Sequence, residues 1–126
     1  DPVVCLIDEL QEQQGNSGNI GGTMRLGAME DVLIENSVIE NVYKKSVISE
    51  RHRHRYEVNP KYAAVMQKHG LVISGRSVRE DFIDVVEIPD HPWFIGCQFH
   101  PEFSSRPLNP HPLFKSFLQA VLVKKG

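Results

Sequence analysis

Gly96-Cys97-Gln98-Phe99-His100-Pro101-Glu102-Phe103 is the stretch from which the rest of the chain can be read. An apolar strand runs straight into His-Pro-Glu. Pro101 biases the backbone of His100 toward the extended region and fixes its own φ, so the imidazole and the Glu102 carboxylate are offered from one rigid loop at a strand end. A carboxylate two residues away can hold the ring in one tautomer and stabilise the imidazolium formed when the histidine takes a proton. The pair therefore reads as a base with its orienting acid. Spacing alone does not decide this, because His and Glu at i and i+2 are more often a surface contact than a catalytic pair.

Working outward, residues 71–74 and 82–88 read as strands, and Pro89-Asp90-His91-Pro92 is a turn into a third strand over 93–99. The last two form a hairpin. Beyond the loop, Leu113, Phe114, Phe117, Leu118, Val121 and Leu122 recur at helical spacing behind Pro112, which predicts an amphipathic C-terminal helix. Upstream, residues 47–58 alternate with period two. His52, His54, Tyr56 and Val58 fall on one face, and Arg51, Arg53, Arg55 and Glu57 on the other. One continuous strand is predicted there, with Arg53 and Arg55 about 7 Å apart on one face.

Asn59, Pro60 and Gly70 supply the cap, first position and terminator of a helix with Tyr62, Ala63, Val65 and Met66 on its apolar side. Ser37 with Glu40 forms a capping box for a short helix ending near Lys44-Lys45. Gly21 to Gly27 carries a short strand signal bracketed by glycines, where backbone can approach another element closely. Residues 9–19 are polar and read as an exposed loop. The opening Asp1-Pro2 meets an apolar run at once, which predicts a cut or processed fragment.

The sequence has 126 residues, 40% hydrophobic and 24% charged, with a formal net charge of -2. That suits one modest core, a domain or part of one. No overall positive field draws in nucleic acid or an anionic membrane, and no apolar run approaches the roughly 20 residues of a membrane helix. A soluble, cytoplasmic protein is expected. Cys5 and Cys97 each sit in an apolar run, which predicts buried thiols in a reducing compartment and no disulfide scaffold.

The run Gly96 to Phe103 resembles the Gly-x-Gln-Phe-His-Pro-Glu signature of class I glutamine amidotransferases. Three more segments narrow the resemblance to CTP synthases: Gly21-Gly22-Thr23-Met24-Arg25-Leu26-Gly27, residues 50–59 (Glu-Arg-His-Arg-His-Arg-Tyr-Glu-Val-Asn), and residues 100–107 (His-Pro-Glu-Phe-Ser-Ser-Arg-Pro). The resemblance implies a three-layer α/β amidotransferase fold. This chain would be the C-terminal half of that domain, the nucleophile half and the synthetase domain lying outside it. It also implies that His100 is general base and acid, that Glu102 orients it, and that Arg55 binds the substrate glutamine. A guanidinium fork suits an α-carboxylate.

In the complete enzyme the resemblance implies, a cysteine thiolate attacks the side-chain amide of glutamine. The products are glutamate and ammonia, and the ammonia aminates UTP to CTP with ATP. Mg2+ would serve the nucleotide site, GTP would stimulate glutamine hydrolysis, and the whole would form a homo-oligomer, a tetramer. No cofactor is expected within the 126 residues themselves.

The family's nucleophile lies in a Gly-x-Cys-x-Gly turn, and neither Cys5 nor Cys97 has those neighbours. Cys97 also lies three residues before His100. A continuing strand would put the two side chains on opposite faces about 10 Å apart, so the fragment alone is expected to be inactive. His52 and His54 project together on a strand, but with no Cys or acidic cluster nearby in sequence a metal site is not expected. Arg51 and Arg53 read as a solvated basic face or as partners for acids of another domain. Two rivals remain: a non-catalytic regulatory or scaffold module with the same fold, and another class I amidotransferase such as one making GMP or anthranilate. The repeated Arg-His segment argues against the second.

Overall fold

The computed structural model describes residues 3–13 and 24–125. The main sheet has five strands in the order β3-β2-β5-β6-β7, every neighbouring pair antiparallel. They are β2 (Arg25–Leu33), β3 (Val47–His54), β5 (Val72–Ser77), β6 (Ile83–Glu87) and β7 (Ile95–Cys97). A separate two-stranded ribbon pairs β1 (Val4–Leu6) with β4 (Tyr56–Val58). The helices are α1 (Ile7–Gln13), α2 (Val38–Tyr43), α3 (Ala63–Lys68) and α4 (Pro112–Lys125).

The predicted hairpin is present: β6 and β7 pair with Val85 opposite Cys97. Ser37 caps α2 by accepting from the Glu40 amide. The return bond of the box goes one residue earlier, from the Asn36 amide to Glu40 Oε1. A carboxylate on β6 adds to this cap, because Glu87 Oε2 accepts from the Val38 amide at 2.9 Å. That places negative charge against a helix N-terminus. The helix after Asn59 begins as a 3₁₀ turn over Pro60–Tyr62 before α3 continues it, and Gly70 ends it at φ +100°. No residue of either piece is fully buried, so its apolar side is only partly covered.

Four expectations are corrected. The strand signal near Gly27 extends to Leu33. Gly27, its third residue, has a φ of +95° and no atom within 4 Å of an added Cβ, so conformation and not close approach calls for glycine there. Residues 9–13 belong to α1, whose Leu10 packs with Cys5, Ile7 and Phe82, while 14–19 of the expected loop lie outside the described residues. On α4 the apolar stripe is largely exposed, with only Leu113 buried.

The fourth correction matters most. The strand predicted over 47–58 breaks at Arg55 into β3 and β4, which join different sheets. Before the break Ile48, Glu50 and His52 are buried and Arg51 and Arg53 exposed. Past it Tyr56 is exposed and Glu57 is wholly buried. The alternation slips by one residue after Arg55, which itself lies on neither strand. Pairing with β1 causes the break, since β4 takes its ladder from Val4 to Leu6 and the Ile7 amide bonds to the Arg55 carbonyl at 3.1 Å.

The apolar core gathers Leu33, Ile48, Val85 and Phe99 beneath Ile39 of α2 and Leu113 of α4. Two buried polar clusters flank it. In one, Glu50 Oε1 accepts from His111 Nε2 at 2.6 Å and from the Tyr43 hydroxyl at 2.8 Å, tying β3 to α2 and to the start of α4. Arg25 centres the other.

Candidate active site

β7 ends at Cys97, so the chain reaches His100 through two bent residues and not along a strand. Two backbone bonds hold this entry. The Gln98 amide donates to the Asp84 carbonyl and the His100 amide to the Arg51 carbonyl, both at 2.9 Å. Pro101 then starts a 3₁₀ turn over Pro101–Ser104, as a proline at a first helical position allows. The result is the rigid presentation expected from His-Pro-Glu.

His100 Nδ1 lies 2.8 Å from Glu102 Oε1, with the imidazole 39% and the carboxylate 55% exposed. An ionised carboxylate only accepts, so this bond places the ring proton on Nδ1. It leaves the Nε2 lone pair for chemistry. The Glu102 carboxyl is held below its usual range by its own backbone N–H and then by His100, which keeps it in the accepting form. The Phe103 ring leans over His100 at 5.3 Å between centroids.

Arg51 and Arg53 point from the open face of β3 and, with Leu26, Gly27 and Phe103, border a shallow depression of about 720 Å³. Arg55 is exposed at the break between β3 and β4. The Arg51 carbonyl binds the His100 amide, so β3 carries the chain from the histidine loop to the break at Arg55. The arrangement brings His100 and Glu102 into contact and places Arg55 just past the end of β3, the strand whose Arg51 carbonyl binds the His100 amide.

Neither cysteine fits a nucleophile. Both are free thiols. Cys97 packs against the apolar core and approaches the Phe99 carbonyl at 3.6 Å. Burial and the nearby Glu50 push its thiol up to about 11. Burial likewise raises Cys5. A protonated thiol is a poor nucleophile. Because the strand stops at Cys97, its separation from the site rests on packing and not on the predicted alternation.

The Arg25 cluster was not legible in the sequence. Arg25 binds Asp84 with both prongs of its guanidinium, at 2.6 and 2.7 Å, and reaches Glu57 at 2.9 Å. These side chains come from β2, β6 and β4, so one buried cation joins both sheets. His52 and His54 touch each other at 2.9 Å, and with Asp84 they offer three ligand-type atoms within 4.8 Å of one another. The acids that the sequence did not show near these histidines are therefore present in space. A metal ion would have to displace the Arg25 fork and split the His52–His54 bond, because the guanidinium already fills the cationic place.

Burial governs the charges of this cluster. It drives Asp31 up to about 9, helped by a hydrogen bond with Asp84, and Glu57 up to about 7 against the pull of Arg25. Burial also pushes Asp84 upward, but hydrogen bonds from Arg25 and Asp31 outweigh it and bring the carboxyl below its usual range. One proton thus serves the Asp31–Asp84 pair, carried on Asp31.

The profile of the glutamine amidotransferase class-I family matches residues 3–120. The chain belongs to that family and has its fold. It is similar to CTP synthases: 54% identical over 127 aligned positions to that of Novosphingobium aromaticivorans, and 49% over 121 to that of Methanosphaera stadtmanae. These alignments cover 97% and 96% of the chain but only 23% of each relative, so the chain spans under a quarter of their length. Among solved structures, the glutaminase domain of Trypanosoma brucei CTPS with bound acivicin superposes with a TM-score of 0.79 at 36% identity, covering 94% of this chain and 45% of that one. No described helix is long and apolar enough to cross a membrane.

Proposed function

We propose that the chain is the C-terminal half of the glutaminase domain of a CTP synthase and supplies the proton-handling pair of a Cys-His-Glu triad. The observation that carries this reading is the 2.8 Å bond from His100 Nδ1 to Glu102, which fixes the tautomer and leaves Nε2 facing outward. In the reaction, Nε2 of His100 takes the proton of a cysteine thiol and later gives it to the leaving ammonia. Glu102 stabilises the imidazolium between those steps. The thiol comes from polypeptide outside these residues, since Cys5 is buried, Cys97 is half-buried against the core, and both thiols are raised.

Arg55 binds the α-carboxylate of glutamine. It stands exposed just past the end of β3, the strand whose Arg51 carbonyl holds the His100 amide. Ammonia then goes to the ATP-dependent amination of UTP to CTP, with Mg2+ at the nucleotide site and GTP as activator. The complete protein is a cytoplasmic homo-oligomer, and the 126 residues alone do not turn over glutamine.

The test is His100→Ala and Arg55→Ala in the complete enzyme, assayed for CTP formation with glutamine and, separately, with ammonia. Loss with glutamine alone supports the reading. Equal loss with both nitrogen donors assigns a structural role to the residue, and no loss with either supports a scaffold that keeps the fold without the chemistry.

A further inference from the structure

Pairing with β1 and the Ile7 amide on the Arg55 carbonyl divide the strand at Arg55, and one side chain braces the bend from within. Arg55 lies between the last residue of β3 and the first of β4, so its backbone direction is set by whatever fixes that junction. The His54 ring spans it: Nδ1 lies 3.0 Å from the Tyr56 carbonyl, closing a small loop across Arg55. The same nitrogen is 3.4 Å from Glu57 Oε1, which Arg25 holds at 2.9 Å. Arg25 is the cross-strand neighbour of His54 in the β2–β3 register. The His54 side chain is only 13% exposed.

The carbonyl acceptor at one end sets the tautomer of the His54 ring. A backbone carbonyl only accepts, so His54 Nδ1 carries the hydrogen. Burial and the Arg25 charge lower the His54 pKa, so the ring is neutral and its Nε2 accepts. The facing atom, His52 Nδ1 at 2.9 Å, therefore donates. His52 Nε2 is left without a hydrogen, 3.7 Å from Asp31 Oδ2 and 3.9 Å from Asp84 Oδ2, and makes no hydrogen bond. Each ring in this series can carry its hydrogen in one place only.

The geometry points to His54 as a positioning residue for glutamine recognition: its Nδ1–H to the Tyr56 carbonyl, buttressed by Glu57 and Arg25, sets the backbone bend that aims Arg55 at the substrate. This rests on the proposed role of Arg55. His54 itself touches no substrate.

Asparagine places an N–H where imidazole has Nδ1, and glutamine places one nearer Nε2, so the two variants separate the claimed bond from general packing. In the complete enzyme, His54→Ala and His54→Gln should raise KM for glutamine about tenfold or more, with ammonia-dependent CTP formation within about twofold of the parent. His54→Asn should restore KM to within about threefold. An unchanged KM in His54→Ala, an equal rise in the Asn and Gln variants, or parallel loss of the ammonia-dependent rate would each overturn the assignment. Arg55→Ala is the control: if it leaves KM unchanged, the glutamine reading itself fails. If it raises KM while His54→Ala does not, only the positioning role fails.

Discussion

Arg25 and Asp84 meet as a two-pronged ion pair, Nη1 to Oδ1 at 2.6 Å and Nη2 to Oδ2 at 2.7 Å, with side chains 5% and 0% exposed. Such a pair costs much to desolvate, and more to break, because removing one partner strands the other charge in a poor solvent. Here two carboxylates depend on one cation, Glu57 being the second.

Arg25→Met should therefore lower the unfolding free energy by about 3–5 kcal/mol. Urea denaturation checks this, read as a lower midpoint with an unchanged slope. A loss under about 1 kcal/mol would mean that water reaches the cluster.

The pH dependence of stability follows from Asp31. Its carboxyl is raised to about 9 in the folded protein. As pH climbs past the ordinary carboxylate value, the unfolded chain releases this proton while the folded chain keeps it, so stability falls until the folded group also titrates. Glu57, raised to about 7, acts in the same direction over a narrower window. Asp31→Asn removes the first contribution, and its stabilising effect should be larger at about pH 8 than at about pH 5. Paired urea curves at the two pH values decide it, and a gain that shrinks toward alkaline pH would refute the assignment.

Glu102→Gln keeps the shape of the orienting group and removes its charge. In the complete enzyme, glutamine-dependent kcat/KM should drop between about 10²- and 10⁴-fold as the imidazole loses its fixed tautomer. Ammonia-dependent synthesis should not change. Parallel glutamine and ammonia assays are the measurement, and full glutamine activity in this variant would remove the carboxylate from the mechanism.

Cys97 should behave as a packing residue. With its thiol at about 11, alkylation near neutral pH should be slow compared with a free thiol. Cys97→Ala should leave glutamine turnover of the complete enzyme intact. Rapid labelling of Cys97, or loss of turnover in a variant that remains folded, would contradict this.

Local pattern was the legible part of the sequence. The hairpin around Pro89 to Pro92, the Ser37 cap, the Asn59-Pro60 start and the His100-Pro101-Glu102 loop each depend on residues a few positions apart, where turn and cap chemistry acts. The break at Arg55 was not visible, because residues 47–58 alternate without interruption and it takes the pairing of β4 with β1 and the His54 bond to the Tyr56 carbonyl to divide them. The helical character of residues 9–13 was hidden in the same way. Their polar composition suggested a loop, yet Leu10 docks onto Phe82, a distant residue just ahead of β6.

By itself the sequence determined the family, the rigid His-Pro-Glu loop and the two histidines of the Arg-His run, since these reside in contiguous residue types and their covalent geometry. Tertiary structure alone decided what Arg25, Asp31, Glu57 and Asp84 do. They lie far apart along the chain, and their charges take on meaning only where folding from two sheets has withdrawn them together from water, so that three carboxylates share one guanidinium and one proton.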